Sequence, residues 1–223
     1  MGERTSSARR RGGSWLLKTR PPSGAAAASA ADGAPTYRPV LESLNNSTKW
    51  AVSGLVALTV LARRDLHCAW CLLGSVLAAA LCRRLKHALN EARPPQARKA
   101  DPGMPSSHAN SLAFLAAYVA LAGAGLATGV AVPAVAVALS WLRVYLGYHT
   151  AAQVAAGWAL GGGTAAAWWA LGGVMVPALA ARPQLAVWLY AAAAAAGATF
   201  AATNVLRWAE EARREVVEAG GKQ

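Results

Sequence analysis

Six long apolar runs dominate this chain and constrain its fold more than any other feature. They cover roughly residues 49–62, 66–82, 108–127, 130–147, 150–177 and 183–208. A helix needs about 20 apolar residues to cross the hydrocarbon core of a bilayer, and several of these runs approach that length. In lipid, only helices and closed barrels satisfy all their backbone hydrogen bonds. The runs therefore predict an all-α, polytopic membrane bundle with about six transmembrane helices.

The composition of the chain agrees with a membrane location. Of its 223 residues, 55% are hydrophobic and 14% are charged, whereas soluble domains average about 25% charged residues. Gly and Ala fill the third to sixth runs, as expected where transmembrane helices approach one another closely. Cys68, Cys71 and Cys82 all lie in the second run. They are interpreted as buried helix residues, not as a disulfide framework or a metal site.

The segments that flank the apolar runs have a different composition. Residues 1–35 are rich in Arg, Ser, Gly, Pro and Ala, and Glu3 and Asp32 are their only acids. This composition is typical of an organellar transit peptide and equally of a disordered basic arm, while the lack of an apolar core excludes a secretory signal. The remaining predicted segments are a juxtamembrane segment (36–48), the membrane domain (49–208) and a charged tail (209–223).

Basic residues are concentrated on one predicted face of the bundle. With six spans, only three of the 22 Lys and Arg residues fall on the face formed by the short turns, namely Arg63, Arg64 and Arg182. The other 19 share a face with both termini, and the positive-inside rule places that face in the cytosol or stroma. This bias, with attraction to anionic lipid, explains the net charge of +12. No basic stretch is interleaved with aromatic stacking residues, so nucleic acid is not an expected partner.

The first chemically unusual pair on this face follows the second run. Lys86 and Arg93 are seven residues apart, so a continuous helix would project both from one side until Pro94 ends it. Two cations placed in this way could extend to lipid headgroups. They could equally hold an anion between them.

A second group of polar residues precedes the third run. Ser106, Ser107 and His108 stand where the helix should begin. A serine at this position is a good N-cap, which is the purely structural interpretation. The free N–H groups of a helix start also attract anions, so the same residues could form part of a phosphate site with His108 as a proton donor at its rim.

A third group lies where the fourth run ends. An Arg at the centre of a membrane helix costs about 2.5–3.5 kcal/mol, and Arg143 therefore indicates a functional site by default. Gly147 offers a helix break that lets Arg143 and His149 point toward one place. Gln153 has two interpretations: it orients His149 from one turn away, or it forms a capping box with Thr150.

In order and spacing, these groups resemble the three-part signature of the type 2 phosphatidic acid phosphatase and haloperoxidase superfamily. The matching motifs are Lys86-(six residues)-Arg93-Pro94, Pro105-Ser106-Ser107-His108 and Arg143-(five residues)-His149-(three residues)-Gln153. The likeness spans about residues 49–208. It is greatest to the plastid lipid phosphate phosphatases of the epsilon type, through LNEARP, DPGMPSSHANS and HTAAQV. Dolichyl-diphosphate phosphatases come next.

The resemblance implies a role for each motif residue. His149 would attack phosphorus and form a phosphohistidine, His108 would protonate the leaving alkoxide, and Gln153 would orient His149. The implied phosphate-binding residues are Lys86, Arg93, Ser106, Ser107 and Arg143. Two positions depart from the common family pattern, because Ser107 replaces a glycine and Gln153 replaces an acidic residue. Both of the similar branches resemble this chain at these positions.

The implied function is metal-independent hydrolysis of phosphatidate-type phosphomonoesters to diacylglycerol and phosphate at one membrane face, with no cofactor. The expected partners are a lipid phosphate and the membrane itself, in the plastid envelope or alternatively the endoplasmic reticulum. An isoprenoid diphosphate phosphatase is the alternative enzyme, since the same site would cleave a phosphoanhydride. A non-catalytic protein that binds anionic lipid is a further alternative, which the intact His108 and His149 disfavour.

Overall fold

The computed structural model describes residues 37–95, 97, 101–123 and 125–220, and all regular structure in these ranges is helical. The six helices are α1 (Arg38–Arg63), α2 (Leu66–Leu89), α3 (Ser107–Leu121), α4 (Leu126–Tyr145), α5 (Ala151–Ala180) and α6 (Pro183–Gly220). The predicted all-α bundle is confirmed. Among the described helices, α2, α4, α5 and the Pro183–Glu210 part of α6 are long and apolar enough to cross a membrane. The count of six spans stays a prediction.

The two outermost helices extend beyond the predicted membrane domain, whose boundaries stay a prediction. Helix α1 begins at Arg38 and so includes most of the segment predicted as juxtamembrane. Helix α6 continues to Gly220 through the segment predicted as a charged tail. Hydrophobicity marks where a chain enters lipid, whereas Ala, Glu and Arg continue a helix equally well in water. The predicted leader at residues 1–35 lies outside the described residues.

Helix α3 is short and packs closely against its neighbouring helices. Its 15 residues span about 22 Å, less than the ~30 Å hydrocarbon thickness of a bilayer. It packs mainly against α5 and α4, and both Ala113 and Phe114 are almost fully buried. Gly157 of α5 permits this contact, since a Cβ there would lie 2.6 Å from the carbonyl oxygen of Ser106. The close packing fixes the start of α3 against the start of α5.

Paired indoles join α2 to α5 far from the start of α3. The rings of Trp70 and Trp168 are stacked with their centroids 4.3 Å apart. Trp70 Nε1 donates to the carbonyl of Trp168 at 3.0 Å, and Trp168 Nε1 donates to the carbonyl of Trp70 at 2.8 Å. Both indole N–H groups therefore have a hydrogen-bond acceptor within the contact that they stabilise. We call these two residues the indole pair.

Side-chain contacts agree with the predicted segregation of the two faces. Lys49 Nζ lies 5.7 Å from the ring centroid of Trp208, which places the later part of α6 beside the middle of α1. The hydroxyl of Tyr190 donates to the carbonyl of Arg64 at 3.0 Å, which places the start of α6 beside the α1–α2 turn. The end of α2, the start of α3 and the α4–α5 junction lie together at the other end of the bundle, as the contacts below show.

Candidate active site

The α4–α5 junction fixes the position of His149. Helix α4 ends as predicted at a glycine break, where Gly147 adopts a φ of +76° that glycine tolerates without strain. The N–H groups of Tyr148 and His149 then both donate to the carbonyl of Arg143, at 2.9 and 3.2 Å. Thr150 begins the next helix as the N-cap of α5. His149 is only 3% exposed between these two helix ends.

The amide of Gln153 makes four hydrogen bonds and is fully buried. Its Oε1 accepts from His149 Nδ1 at 3.1 Å and from the N–H of Thr150 at 3.2 Å. Its Nε2 donates to Glu91 Oε1 at 2.9 Å and to the carbonyl of Ala92 at 2.8 Å. The capping box with Thr150 is complete. The contact with His149 and the capping box therefore coexist, although they were alternative interpretations of the sequence.

This network defines the tautomer of His149. Glu91 Oε1 and the Ala92 carbonyl can only accept, so the nitrogen of the Gln153 amide must face them and its oxygen must face the imidazole. An amide oxygen cannot donate, and His149 Nδ1 therefore carries the proton. The other ring nitrogen, Nε2, keeps a lone pair and lies 2.9 Å from Nη1 of Arg93, which donates to it.

His149 is held as a neutral imidazole. Burial lowers the pKa of His149, the positive charges of Arg93 and Arg143 lower it further, and the hydrogen bond with Gln153 opposes the change without reversing it, so that the pKa lies at about 3. A histidine with this pKa is uncharged near neutral pH. Its Nε2 lone pair is then unprotonated and accepts the hydrogen bond from Arg93.

Lys86 and Arg93 meet at the carboxylate of Asp101. Lys86 Nζ and Arg93 Nη2 both contact Asp101 Oδ2, at 3.0 and 2.8 Å. Arg93 Nε also donates to the carbonyl of Asp101 at 2.9 Å. Burial raises the pKa of Asp101, but hydrogen bonds from Arg93 and Lys86 outweigh this effect and lower the pKa to about 2. The two cations therefore hold one carboxylate between them, and Lys86 is only 5% exposed.

The prediction that one continuous helix carries Lys86 and Arg93 is wrong. Helix α2 ends at Leu89, and Asn90 follows it in the left-handed conformation with a φ of +46°. Asn tolerates this conformation better than most residues, and it often ends helices. The chain therefore turns back before Pro94, and Arg93 reaches the site from the α2–α3 connection.

The serines at the start of α3 have mainly structural contacts. Ser106 is fully buried, its Oγ caps α3 by accepting from the N–H of Ala109 at 3.5 Å, and its own N–H donates to the carbonyl of Gln153 at 3.0 Å. Ser107 is exposed, and its Oγ accepts from the Cys82 thiol at 3.8 Å. His108 is half-buried in the first turn of α3. Phosphate binding by either serine stays a prediction.

Arg143 is oriented by a residue that the sequence analysis missed. Its Nη1 donates to Oδ1 of Asn45, a buried residue of α1, at 2.9 Å. Its guanidinium lies 4.4 Å from the ring centroid of Tyr148. The sequence signal for Asn45 is weak, because the polar stretch Asn45–Thr48 precedes an apolar run as an ordinary helix start would.

Glu91 and Asp101 were also missed, although a signal for them exists. They are the only acidic residues between Leu66 and Ala209, and both lie in the site. They border a cavity of about 480 Å³ at the α2–α3 connection, whose lining residues are Asn90, Glu91, Ala92, Arg93, Pro94, Pro95, Ala97, Asp101 and Pro102. Within the described ranges, no group of three or more His, Cys, Asp or Glu side chains could hold a metal ion.

The helix arrangement is similar to that of a solved membrane phosphatase. The similar structure is the first transmembrane PAP2 type phosphatidylglycerolphosphate phosphatase from Bacillus subtilis, with a TM-score of 0.55 and 18% sequence identity. The alignment covers 68% of this chain and 84% of that chain. The chain therefore has the fold of a PAP2-type membrane phosphatase.

Sequence comparisons agree with this fold. The chain is 33% identical over 180 residues to lipid phosphate phosphatase epsilon 2, chloroplastic, from Arabidopsis thaliana, covering 76% of this chain and 62% of the relative. It is 35% identical over 122 residues to lipid phosphate phosphatase epsilon 1, chloroplastic, from the same organism, covering 51% and 44%. The chain thus spans less than two thirds of either relative. Residues 68–175 match the PAP2 superfamily and form a domain of that family, which confirms the resemblance.

Proposed function

We propose that this protein is an integral membrane lipid phosphate phosphatase that hydrolyses phosphatidate-type phosphomonoesters to diacylglycerol and inorganic phosphate. One observation carries the proposal: the neutral Nε2 of His149 lies 2.9 Å from Arg93, whose guanidinium shares Asp101 with Lys86. An imidazole lone pair, a guanidinium and an ammonium group are thus linked through Arg93 and Asp101, and this arrangement supports the proposal. Guanidinium and ammonium groups offset the charge on phosphate oxygens, so a metal ion is not required for this role.

Substrate binding begins with an exchange of anions. A phosphate monoester takes over the hydrogen bonds that Lys86 and Arg93 give to Asp101. Arg93 Nη1 must also release His149 Nε2, because that lone pair is the one that attacks phosphorus. Arg143 adds a third positive charge beside the imidazole, as its effect on the pKa of His149 indicates.

Two displacements complete the reaction. In the first, the bond between His149 Nε2 and phosphorus forms as the ester P–O bond breaks, and His108 gives a proton to the departing oxygen. In the second, water attacks phosphorus, neutral His108 takes the water proton and the N–P bond breaks. Phosphate leaves, and His149 regains its lone pair. Nδ1 keeps its proton throughout and donates it in a hydrogen bond to Oε1 of Gln153.

The plastid envelope is the proposed location. Both Arabidopsis relatives are named chloroplastic, and residues 1–35 have the composition of a transit peptide. Import of the full chain into isolated chloroplasts, followed by recovery in the envelope fraction, is the expected result. Insertion into endoplasmic reticulum membranes alone would contradict the location without affecting the proposed chemistry.

The test of function is phosphate release by the purified full-length protein in detergent micelles with excess chelator. Phosphatidate, lysophosphatidate and an isoprenoid diphosphate form the three substrate arms. We expect release from phosphatidate, and a loss of about 1,000-fold or more in His149→Ala. The matched control is His67→Ala, which changes an exposed histidine at the opposite end of α2 and should leave the rate unchanged.

Each other outcome contradicts a specific part of the proposal. Unchanged release in His149→Ala overturns the nucleophile. Release that stops with chelator indicates a metal-dependent hydrolase. Release from the isoprenoid diphosphate but not from phosphatidate replaces the proposed substrate with the alternative one.

A further inference from the structure

We propose that Glu91 is the acidic positioning residue of the nucleophilic histidine and acts on it through Gln153. This inference rests on the proposed function. The family pattern has an acid where this chain has Gln153, and the structure has a carboxylate directly behind that glutamine. The role of one acidic side chain would thus be divided between two residues.

The hydrogen bonds form a continuous path from imidazole to carboxylate. His149 Nδ1 donates to Gln153 Oε1 at 3.1 Å, and Gln153 Nε2 donates to Glu91 Oε1 at 2.9 Å. Hydrogen bonds in series polarise one another. An amide that donates to a carboxylate therefore becomes a better acceptor at its oxygen, and it stabilises the imidazole more as phosphorus binds Nε2 and the ring becomes positive.

The distribution of acids in the chain supports this role. Glu91 and Asp101 are the only two acidic residues from Leu66 to Ala209. Asp101 contacts the cations Lys86 and Arg93, so its charge lies on the phosphate side of the site. Glu91 contacts the amide on the side of the imidazole away from Arg93. The two acids thus have separate tasks.

The surrounding backbone is built around the Gln153 amide. The carbonyl of Ala92 accepts the second amide hydrogen at 2.8 Å, and the carbonyl of Glu91 accepts from the N–H of Gly103 at 2.6 Å. A Cβ at Gly103 would collide with the amide of Gln153. The two ends of the α2–α3 connection therefore enclose this amide and hold it against Glu91.

Solvent limits the size of the effect. The Glu91 side chain is exposed and borders the cavity described above, whereas the amide that it contacts is buried. Water screens the carboxylate charge, so its loss should matter less than the loss of an acid in direct contact with imidazole. A hydrogen bond to a charged acceptor is stronger than one to a neutral acceptor. The difference in strength corresponds to a rate change of about 5- to 10-fold.

The experiment measures single-turnover formation of the phosphoenzyme from phosphatidate, together with steady-state KM, in five variants. Glu91→Gln keeps a hydrogen-bond acceptor and removes the charge, whereas Glu91→Asp keeps the charge. We expect Glu91→Gln to slow phosphoenzyme formation about 5- to 10-fold with KM nearly unchanged, and Glu91→Asp to recover most of this loss. Glu210→Gln, an exposed glutamate of α6, is the matched control and should equal wild type. In a Gln153→Glu background, Glu91→Gln should be harmless or favourable, because two carboxylates would otherwise face each other.

Three results would overturn the proposal: wild-type rates in Glu91→Gln, equal losses in Glu91→Gln and Glu91→Asp, or a change in KM alone. A readout independent of turnover is the nitrogen NMR shift of His149 in protein labelled on histidine, assigned with His149→Ala. The proposal predicts a protonated Nδ1 whose resonance shifts in Glu91→Gln, and an unchanged resonance contradicts it. If wild type releases no phosphate while the resonance still shifts, the proposed function fails and the connection from Glu91 to His149 stands.

Discussion

Helices α2 and α5 are joined at two places, and the two contacts have opposite chemistry. At the indole pair, stacked rings and two indole-to-carbonyl hydrogen bonds hold the helices together. At the other end, the connection that follows α2 meets the first turn of α5 through the hydrogen bonds of Gln153 with Glu91 and Ala92. The first contact requires only that the two rings pack well and that both indole N–H groups find an acceptor. The second lies beside His149, Arg93 and Asp101, the groups of the proposed active site. In this proposal, packing and reactivity are located at different ends of the same helix pair.

Arg93→Lys should produce the largest effect at the reactive end. Arg93 contacts Asp101, the carbonyl of Tyr148 and His149 Nε2 simultaneously, and a lysine cannot replace that planar set of donors. We expect kcat/KM for phosphatidate to fall about 100-fold or more. Arg84→Lys, an exposed arginine of α2, is the control. A loss of less than 10-fold would mean that charge alone, without the guanidinium geometry, explains phosphate binding.

Gln153→Ala should lower both activity and stability. The substitution removes the partner of His149 Nδ1 and also opens the capping box. We expect phosphoenzyme formation to slow by about 10-fold or more, and the free energy of unfolding to fall by about 1–3 kcal/mol. Quenched single-turnover assays measure the rate of phosphoenzyme formation, and thermal unfolding in detergent measures the stability.

Thr150→Ala isolates the capping part of that effect. It removes the hydroxyl that accepts from the N–H of Gln153 and leaves the Gln153 side chain in place. A lost N-cap costs about 1 kcal/mol, so stability should fall while phosphoenzyme formation stays near wild type. Equal rate losses in Thr150→Ala and Gln153→Ala would show that Gln153 serves the helix start and not the imidazole.

Asp101→Asn should destabilise the protein in a pH-dependent way. The folded-state pKa of Asp101 lies at about 2, below its ordinary value of 3.8, so its contribution to stability is complete above about pH 4 and is lost as pH falls toward 2. Because the side chain is 46% exposed, we expect the contribution to be only about 1 kcal/mol. The difference in thermal stability between wild type and Asp101→Asn should be greatest near pH 6, about half as large near pH 3 and small near pH 2. A difference that does not change over this range would contradict the ion pairing.

Trp168→Phe should have the smallest effect on activity and tests the packing end. It removes the indole donor to the carbonyl of Trp70 and keeps an aromatic ring. We expect a loss of about 1–2 kcal/mol in the free energy of unfolding, with kcat unchanged within about twofold. A large drop in kcat at constant stability would show that the two ends of the helix pair are coupled.

The parts of the molecule that could be predicted depend on local signals. Apolar runs mark the helices, Gly147 marks the end of α4, and the position of Ser106 marks the start of α3. The same signals placed the motif residues at one end of the bundle. Each of these features follows from a few neighbouring residues, with no need to know how the loops fold.

The rest depended on contacts between distant segments. Arg93 reaches Lys86 only because Asn90 turns the chain and Asp101 bridges the two cations. Glu91 acquires its role from Gln153, which lies 62 residues further along the chain. The spacing of Lys86 and Arg93 indicated that they could hold an anion, but no periodicity or spacing pointed to Asp101 as their bridge or to Glu91 as the partner of Gln153. The only sequence signal for Glu91 and Asp101 was that no other acidic residue lies between Leu66 and Ala209.

The most direct measurement of the central claim is the identification of the phosphorylated residue. Phosphatidate labelled in its phosphate would be mixed with the full-length protein, quenched within milliseconds in alkali and digested for mass spectrometry. The account predicts an acid-labile, alkali-stable phosphoramidate on the peptide that contains His149, which is absent in His149→Ala. Label on another residue, or phosphate release at the wild-type rate with no labelled protein at any time, would contradict it.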